Sequence, residues 1–413
     1  MKRNAAAYAP LSVMGLEVEY AVVDGDLRPA CVVADAFREA SGRAASDVSR
    51  GRIGFSNELA AHVLELKMMR PSADLRQMES DLHDGVVYFS GLLRERFGAR
   101  LLPTAMHPLM KPSETRLWSR GGRAVYDAYA RTFDVRTHGW LNIQSTHVNL
   151  PFGRTERDVV DLYNAVACLL PYLPALAASS PVVEGRTRRH VDNRLHYYRT
   201  NQERIPEITG DVVPSFLDSV GQYHTAVLRP IYRALRDVPG ADVLRHEWVN
   251  SRGAILRFQR QALEIRILDV QECVRMDVAL AAFTRAALRW LMRALREGEI
   301  ELPEHGMLVD DLGRVITGGR AARVAAKHLG RTGLRARSAG DVLGFVLERS
   351  RREATGDERR LLRTVGDRLE RGSLSEMIRR RLARKRGGTQ RHRLRETYEE
   401  LIAALESNRP WAG

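Results

Sequence analysis

The sequence predicts an α+β fold built on an open antiparallel sheet, with flanking helices and a helical C-terminal region. Three observations lead there. Short segments alternate apolar and charged residues, as half-buried strands do. Longer segments between them carry apolar residues at helical spacing. The alternation also leaves one sheet face polar, which suits an antiparallel sheet open to a ligand better than a parallel sheet covered on both faces.

The first strand covers 11–23. Leu11, Val13 and Met14 lead into Gly15-Leu16-Glu17-Val18-Glu19-Tyr20, and Ala21-Val22-Val23 follows. Side chains two apart on a strand share a face at roughly 6–7 Å, so Glu17 and Glu19 point one way while Leu16 and Val18 point into the core. A strand at 63–68, a helix over 75–97 and a strand at 98–104 come next. A strand at 143–150 precedes helices over 155–170 and 216–236. Strands near 254–258 and 262–269 lead into a helix over 276–296. The composition then changes: residues 320–413 are almost entirely Arg, Leu, Ala, Glu and Gly, with helical spacing in 341–349, 357–371 and 393–406. We therefore divide the chain into a motif-bearing domain, 1–300, and an Arg-rich helical subdomain, 301–413.

The totals exclude several classes. With 413 residues, 44% of them apolar, the chain can bury a large core. Cys31, Cys168 and Cys273 are too far apart for a zinc spacing or a disulfide framework, which fits a reducing cytoplasmic setting. Met1-Lys2-Arg3-Asn4 lacks the apolar core of a signal peptide, and the longest apolar run, 165–178, is interrupted by Pro171 and Pro174 and too short for a membrane span. The formal charge of +14 invites a nucleic-acid reading. Yet only five of the 65 basic residues are Lys and the other 60 are Arg, a ratio that follows from a GC-rich genome more readily than from a binding surface. The run from Arg379 to Arg386 reads as a solvated helix end before it reads as an RNA contact. There is no P-loop and no GxGxxG, so any nucleotide must be held by another architecture.

Four segments could carry chemistry. Glu17 and Glu19 are either a solvated strand face or half of a cation site, since two adjacent buried anions repel unless a cation is shared. Glu65, in Val63-Leu64-Glu65-Leu66-Lys67, is either a salt-bridge partner or part of the same site. Glu58 has the wrong parity for that face, and a turn, bulge or short helix through 59–62 must intervene if both serve one site. In Thr146-His147-Val148-Asn149, His147 and Asn149 share a face and can orient a substrate or ligate a metal, or His147 is simply a structural histidine whose hydrogen bonds are satisfied. In Leu263-Glu264-Ile265-Arg266-Ile267-Leu268-Asp269, Glu264 and Arg266 share a face, and Arg252-Gly253 lies just upstream. A carboxylate beside a guanidinium is an ordinary salt bridge, but also what a metal–nucleotide site needs, Glu on the cation and Arg on phosphate. Five carboxylates facing one cavity would be prohibitive without cations; several Mg²⁺ with ATP would offset the repulsion.

Taken in order, these motifs resemble the second family of the glutamate–cysteine ligase superfamily, the carboxylate–amine ligases, over roughly residues 11–295 and more weakly beyond. Gly15-Leu16-Glu17-Val18-Glu19 is similar to that family's opening strand, and Glu58-Leu59 with Glu65 to its next acidic pair. Met106-His107-Pro108, Thr146-His147-Val148-Asn149 and Leu176-Ala177-Ala178-Ser179-Ser180-Pro181 with Gly185 and Arg194 resemble later family segments. Arg252-Gly253-Ala254 and Glu264 to Asp269 resemble the late Arg segment and Glu–Arg strand.

The resemblance implies a fold like that of glutamine synthetase, whose sheet forms a funnel for ATP and two or three Mg²⁺. It implies that a substrate carboxylate attacks the ATP γ-phosphate and that an amine then displaces phosphate to leave an amide, γ-glutamyl if the donor is glutamate. By this carry-over Glu17, Glu19, Glu58, Glu65 and Glu264 are metal ligands with His147 beside them. Arg266 and Arg252 neutralise phosphate, Arg194 holds a substrate carboxylate or a phosphate, and Asn149 faces substrate with His147. The segments 136–144 and 192–195 depart from the ordinary bacterial pattern, which implies a subfamily whose substrates need not be glutamate or cysteine. The alternative is a non-catalytic protein of the same fold that uses its basic C-terminal region to hold an acidic partner or RNA. Phosphoryl transfer to a guanidino compound is a third reading. A homo-oligomer is compatible with all three.

Overall fold

A computed structural model of the chain describes residues 8–335, 337–384 and 387–413. Its sheet uses strands β1 (Gly15–Val23), β2 (Asp47–Arg50), β3 (Ile53–Asn57), β4 (Val63–Met68), β5 (Arg100–Leu102) and β6 (Ser145–Pro151). A small separate hairpin, β7 (Val182–Val183) and β8 (Arg186–Thr187), follows, and β9 (Ala254–Arg257) and β10 (Ala262–Asp269) complete the sheet. The order is β2-β3-β4-β1-β6-β10-β9, antiparallel throughout, with β5 on the far end of β1. The expected open antiparallel sheet with flanking helices is what forms.

The underside is apolar because of the alternation. Leu16, Val18, Leu64, Leu66, Val148, Leu150, Leu263 and Ile265 are fully buried. Helices Leu75–Phe97 and Val274–Arg296 lie beneath them. The first is capped by Asp74, whose side chain accepts from the Gln77 amide, and stops at Gly98, which takes the left-handed conformation (φ 61°) that ends a helix cheaply. The second is apolar on nearly every side, the mark of a helix surrounded by protein. Helices Glu156–Leu169, Ala339–Glu353 and Glu358–Arg371 surround it, so the C-terminal region shares one continuous apolar core with the sheet. Arg285 and Arg289 on the central helix both bond Glu358.

Some boundaries differ from expectation. Residues 11–14 turn before β1 begins: Leu11 has φ 57° and Met14 makes a single bridge to Ser72. The strand expected at 98–104 keeps only 100–102, between Gly98 and Pro103-Thr104, where Thr104 has φ 106°. The helix expected over 216–236 starts at Val220 and passes through a π-helical stretch, Tyr223–Leu228, before Arg229–Arg236. The hairpin of β2 and β3 and helices Val33–Ser41, Arg123–Thr132 and His305–Gly318 were not anticipated. No described helix is long and apolar enough to cross a membrane.

Candidate functional site

Antiparallel register decides which side chains meet on the open face. Glu17 lies opposite Lys67 on one side and His147 on the other; Glu19 lies opposite Glu65; Asn149 lies opposite Gly15 and Glu264. Cross-strand partners share a face. Four neighbouring strands thus present Glu17, Glu19, Glu65, Lys67, His147, Asn149 and Glu264 together. Glu58 joins them by a turn of the kind its parity requires: β3 ends at Asn57, Ala60 bridges to Leu117, and β4 starts at Val63.

Two overlapping sets of ligand atoms result. One oxygen each from Glu19, Glu58 and Glu65 lie within 4.8 Å of one another, and so do one atom each from Glu17, Glu65 and His147. Glu65 belongs to both. The first set is all oxygen and suits a hard cation such as Mg²⁺; the second adds one imidazole nitrogen. The residues present therefore fit the divalent ions that the resemblance implies.

The electrostatics match that reading. Burial, with repulsion from Glu19 and Glu65, pushes the Glu58 carboxyl well above the usual range, and burial also raises Glu19. Burial alone would raise Glu17 too, but His147, Arg260 and Lys67 hold it down at about 2. The His147 ring sits between anions: Nδ1 is 3.5 Å from Glu17 Oε2, while Nε2 is 2.9 Å from Ser145 Oγ and 3.8 Å from Glu19 Oε1. Burial works against its protonated form, but Glu17, Glu19 and Glu264 outweigh it and raise its pKa. Lys67 Nζ donates to Glu65 at 2.8 Å and to Ser56 at 2.6 Å.

The remaining nominated residues occupy different settings. Glu264 is held by guanidinium groups at both oxygens, Arg266 Nε at 2.6 Å and Arg257 Nη1 at 2.5 Å, and stands outside both ligand sets. Arg266 also donates to the carbonyls of Trp248 and Asn250. Arg194 is buried in an ion pair with Asp269 (2.5 Å) and donates to the Ile267 carbonyl. Arg252 is not brought to the cluster: its guanidinium bonds the Glu207 carbonyl and Asn250. Asn149 donates to Glu17 at 3.4 Å, and its Oδ1 is buried without a hydrogen-bond partner.

Sequence reasoning missed Arg257 and Arg260, which flank the turn between β9 and β10; Arg260 donates to Glu17 at 2.8 Å. The signal was an Arg four residues before Glu264. It also missed the role of Asp269. A β-bulge between Ile265 and Leu268 adds one residue to β10, so that Asp269 pairs with Ser145 and comes to the same side as Glu264 despite the odd spacing. A cavity of about 200 Å³ opens beside Glu19, Glu58 and His147, walled by Tyr126, Tyr129, Trp140 and Tyr198, with Arg194 and Arg266 at its edge.

The fold is of the glutamate–cysteine ligase type. A glutamate–cysteine ligase from Francisella tularensis, solved in complex with AMP, superposes with a TM-score of 0.61 at 12% identity, over 97% of this chain and 93% of that one. A bifunctional glutathione synthetase from Pasteurella multocida gives 0.62 at 15% identity over 95% of this chain; the chain spans about half, 52%, of that larger protein. The chain belongs to glutamate–cysteine ligase family 2, whose profile matches residues 13–400. Among its relatives, an uncharacterized protein of Archaeoglobus fulgidus is 36% identical over 397 residues, 96% of this chain and 99% of that one. A Paracoccus denitrificans protein provisionally named glutamate–cysteine ligase 2 is 26% identical over 292 residues, 69% of this chain and 68% of that one.

Proposed function

We propose that this chain is an ATP- and Mg²⁺-dependent carboxylate–amine ligase acting through an acyl phosphate in the cytoplasm. The observation that carries this reading is the pair of ligand sets sharing Glu65, three of whose members, Glu19, Glu58 and His147, also line the aromatic cavity. Family membership supports the ligase class, and the AMP bound to the Francisella enzyme supports nucleotide use.

A substrate carboxylate oxygen forms a bond to the γ-phosphorus of ATP as the bond to ADP breaks. The amine nitrogen then bonds the acyl carbon, phosphate leaves with the electrons of the C–O bond, and the nitrogen gives up one proton. Glu17, Glu19, Glu58, Glu65 and His147 would hold the metal ions, which when bound screen phosphate charge and draw electron density from the γ-phosphoryl oxygens. Glu264 fixes Arg257 and Arg266 beside them, so that positive charge is in place before the reaction begins. Ser145, through its amide and hydroxyl, orients Glu19. No residue needs to become covalently modified; positioning and charge suffice.

The test is to incubate purified protein with Mg²⁺, ATP and pooled amino acids and amines, following ADP and new condensation masses. ADP formation that needs both substrates, and that is lost in Glu17→Gln with folding intact, is the expected result; absence of Mg²⁺-dependent ATP binding would sink the reading. The alternative of a basic C-terminal docking region is not favoured. Arg379 bonds the carbonyls of Arg188 to His190 and Arg381 bonds Glu400, so these cations are engaged within the chain; Lys385 and Arg386, from the same run, lie outside the described residues.

A further inference from the structure

Arg257, Arg260 and Arg266 all reach carboxylates of the open face from β9, β10 and the turn between them. Two of the three are fixed. Arg257 and Arg266 share Glu264, Arg266 also donates to the carbonyls of Trp248 and Asn250, and their side chains are only 13% and 16% exposed. Arg260 is held differently. Its backbone is anchored: the turn Phe258–Arg260 is tied down where the Phe258 and Gln259 amides donate to Glu247, and Gln261 follows in the left-handed conformation (φ 52°). Its side chain, in contrast, is 48% exposed. Nη1 lies 2.8 Å from Glu17 Oε1 and 3.9 Å from Glu264 Oε2, while Nε and Nη2 make no hydrogen bond among the described residues.

The carboxylate that Arg260 holds is also a metal-ligand candidate, since Glu17 forms one ligand set with Glu65 and His147. When no ion is bound, the guanidinium supplies the positive charge that a largely enclosed anion needs. A divalent ion on Glu17 brings more charge to the same place and repels the guanidinium. An ion pair this exposed is held loosely, so the arginine is the partner that yields. Lys67 compensates Glu65 in a similar way, but its Nζ is fixed by two partners, Glu65 at 2.8 Å and Ser56 at 2.6 Å. Once released, Arg260 presents a planar fork of donors that fits phosphate. Ligand oxygens on one octahedral ion touch each other. A phosphate carried by that ion therefore arrives beside Glu17, within the sweep of the Arg260 side chain.

We propose that Arg260 is a place-holder for the metal and a phosphate-binding residue of the loaded site. It neutralises Glu17 until a divalent ion takes that carboxylate, then turns its guanidinium to the phosphates of the nucleotide. The nucleotide half rests on the ligase reading; the exchange with metal rests only on the ligand set that contains Glu17.

The test uses the full chain and two probes. One is Mn²⁺, which shares magnesium's preference for octahedral oxygen ligands and whose free ion is counted by electron paramagnetic resonance. The other is a non-hydrolysable ATP analogue, followed by calorimetry. Without nucleotide, Arg260→Gln should bind Mn²⁺ about fivefold more tightly than the wild type, because the competing cation is gone. With Mn²⁺ saturating, the same variant should bind the analogue about tenfold more weakly. Arg260→Lys keeps the charge but not the fork, so its Mn²⁺ affinity should stay close to wild type while its analogue binding weakens. In a Glu17→Gln background, Arg260→Gln should leave Mn²⁺ affinity unchanged. An arginine that merely braced Glu17 would weaken metal binding when removed. Weaker or unchanged Mn²⁺ binding in Arg260→Gln, or an unchanged affinity for the analogue, would overturn the proposal. Wild-type protein separates the two readings. If it binds no analogue with Mn²⁺, the ligase reading and the nucleotide half fall together, and Mn²⁺ binding tightened by Arg260→Gln still upholds the exchange with metal. If it forms ADP and Arg260→Gln alters neither affinity, the ligase reading stands and the place-holder does not.

Discussion

Glu19 stands directly opposite Glu65 in the pairing of β1 with β4, two carboxylates on one face of neighbouring strands. Like charges so placed destabilise a sheet unless something between them is positive. Each has partners of its own: Ser145 donates its amide and hydroxyl to Glu19, which also faces His147 at 3.8 Å, and Lys67 and Ser56 donate to Glu65. The opposition between the two is left for a shared cation to relieve.

Glu65 belongs to both ligand sets and Glu17 to one. In thermal melts, Glu65→Gln should therefore lose more of the Mg²⁺-induced rise in melting temperature than Glu17→Gln. A ligand in hundredfold excess over its dissociation constant stabilises by about 2.7 kcal/mol, several degrees for a chain of this size. In EDTA, Glu65→Gln should equal or exceed the wild type in stability, because one repelling charge has gone. A variant that keeps the full Mg²⁺ response would remove Glu65 from the metal site.

Asp277 lies beneath the sheet, fully buried, with Oδ1 accepting from Thr146 Oγ1 and the Gln271 amide and Oδ2 unpaired. Burial pushes its pKa up to about 8. An unfolded Asp titrates near ~3.9, so between these values the folded chain keeps a proton that the unfolded chain releases. Stability contributed by this group consequently falls as pH rises from about 4 to about 8 and is level above that, with a slope of about 1.4 kcal/mol per pH unit at most. Asp277→Asn preserves the acceptor and should abolish that slope, which denaturant titrations at pH 5 and pH 8 would reveal.

Arg194 and Asp269 form a buried pair at the edge of the cavity. Arg194→Met leaves the buried Asp269 carboxylate without its cation, and should cost about 3–5 kcal/mol in denaturant unfolding. Joining Arg194→Met to Asp269→Leu should recover most of that loss. If the double variant is no better than the single one, the Ser179 and Ser180 bonds to Asp269 matter more than the ion pair.

The central helix Val274–Arg296 needs the C-terminal region. Trp290 packs edge-on against Phe345 with ring centroids 5.9 Å apart, and Arg285 and Arg289 close on Glu358. A fragment ending at residue 300 should lose its cooperative melting transition and bind a hydrophobic dye, as checked by circular dichroism and dye fluorescence.

Much of this was legible in the residues. Alternation placed Glu17, Glu19, Glu65, His147, Asn149 and Glu264 on one face, because strand parity is local and the core face is apolar. What sequence could not convey was register and crossing. Glu58 reaches the cluster through a turn whose shape depends on a bridge from Ala60 to Leu117, far along the chain. Arg252 looked as apt as Arg266, but Gly210 approaches its guanidinium and the Glu207 carbonyl holds it elsewhere. The β2–β3 hairpin escaped notice because its strands are short and its turn is Arg50-Gly51-Arg52, where only the left-handed Gly51 (φ 62°) betrays the reversal. The aromatic wall joins Tyr126 and Tyr129, three apart on one helix, to Trp140 and Tyr198 from two other helices, a meeting that no local pattern announces.

The bulge in β10 has a consequence for how this chain tolerates change. The strand measures out one residue more than its neighbour between Ile265 and Leu268, and that surplus keeps Glu264 and Asp269 on the same side. What the segment stores is a length rather than an identity. Exchanging Ile267 for another apolar residue leaves the spacing intact; deleting it shifts the phase of everything after it and turns Asp269 away from Arg194 into the apolar layer. Among natural relatives and engineered variants alike, the apolar positions of this stretch should accept other apolar residues of similar size, while Arg266 stays fixed and insertions and deletions are refused.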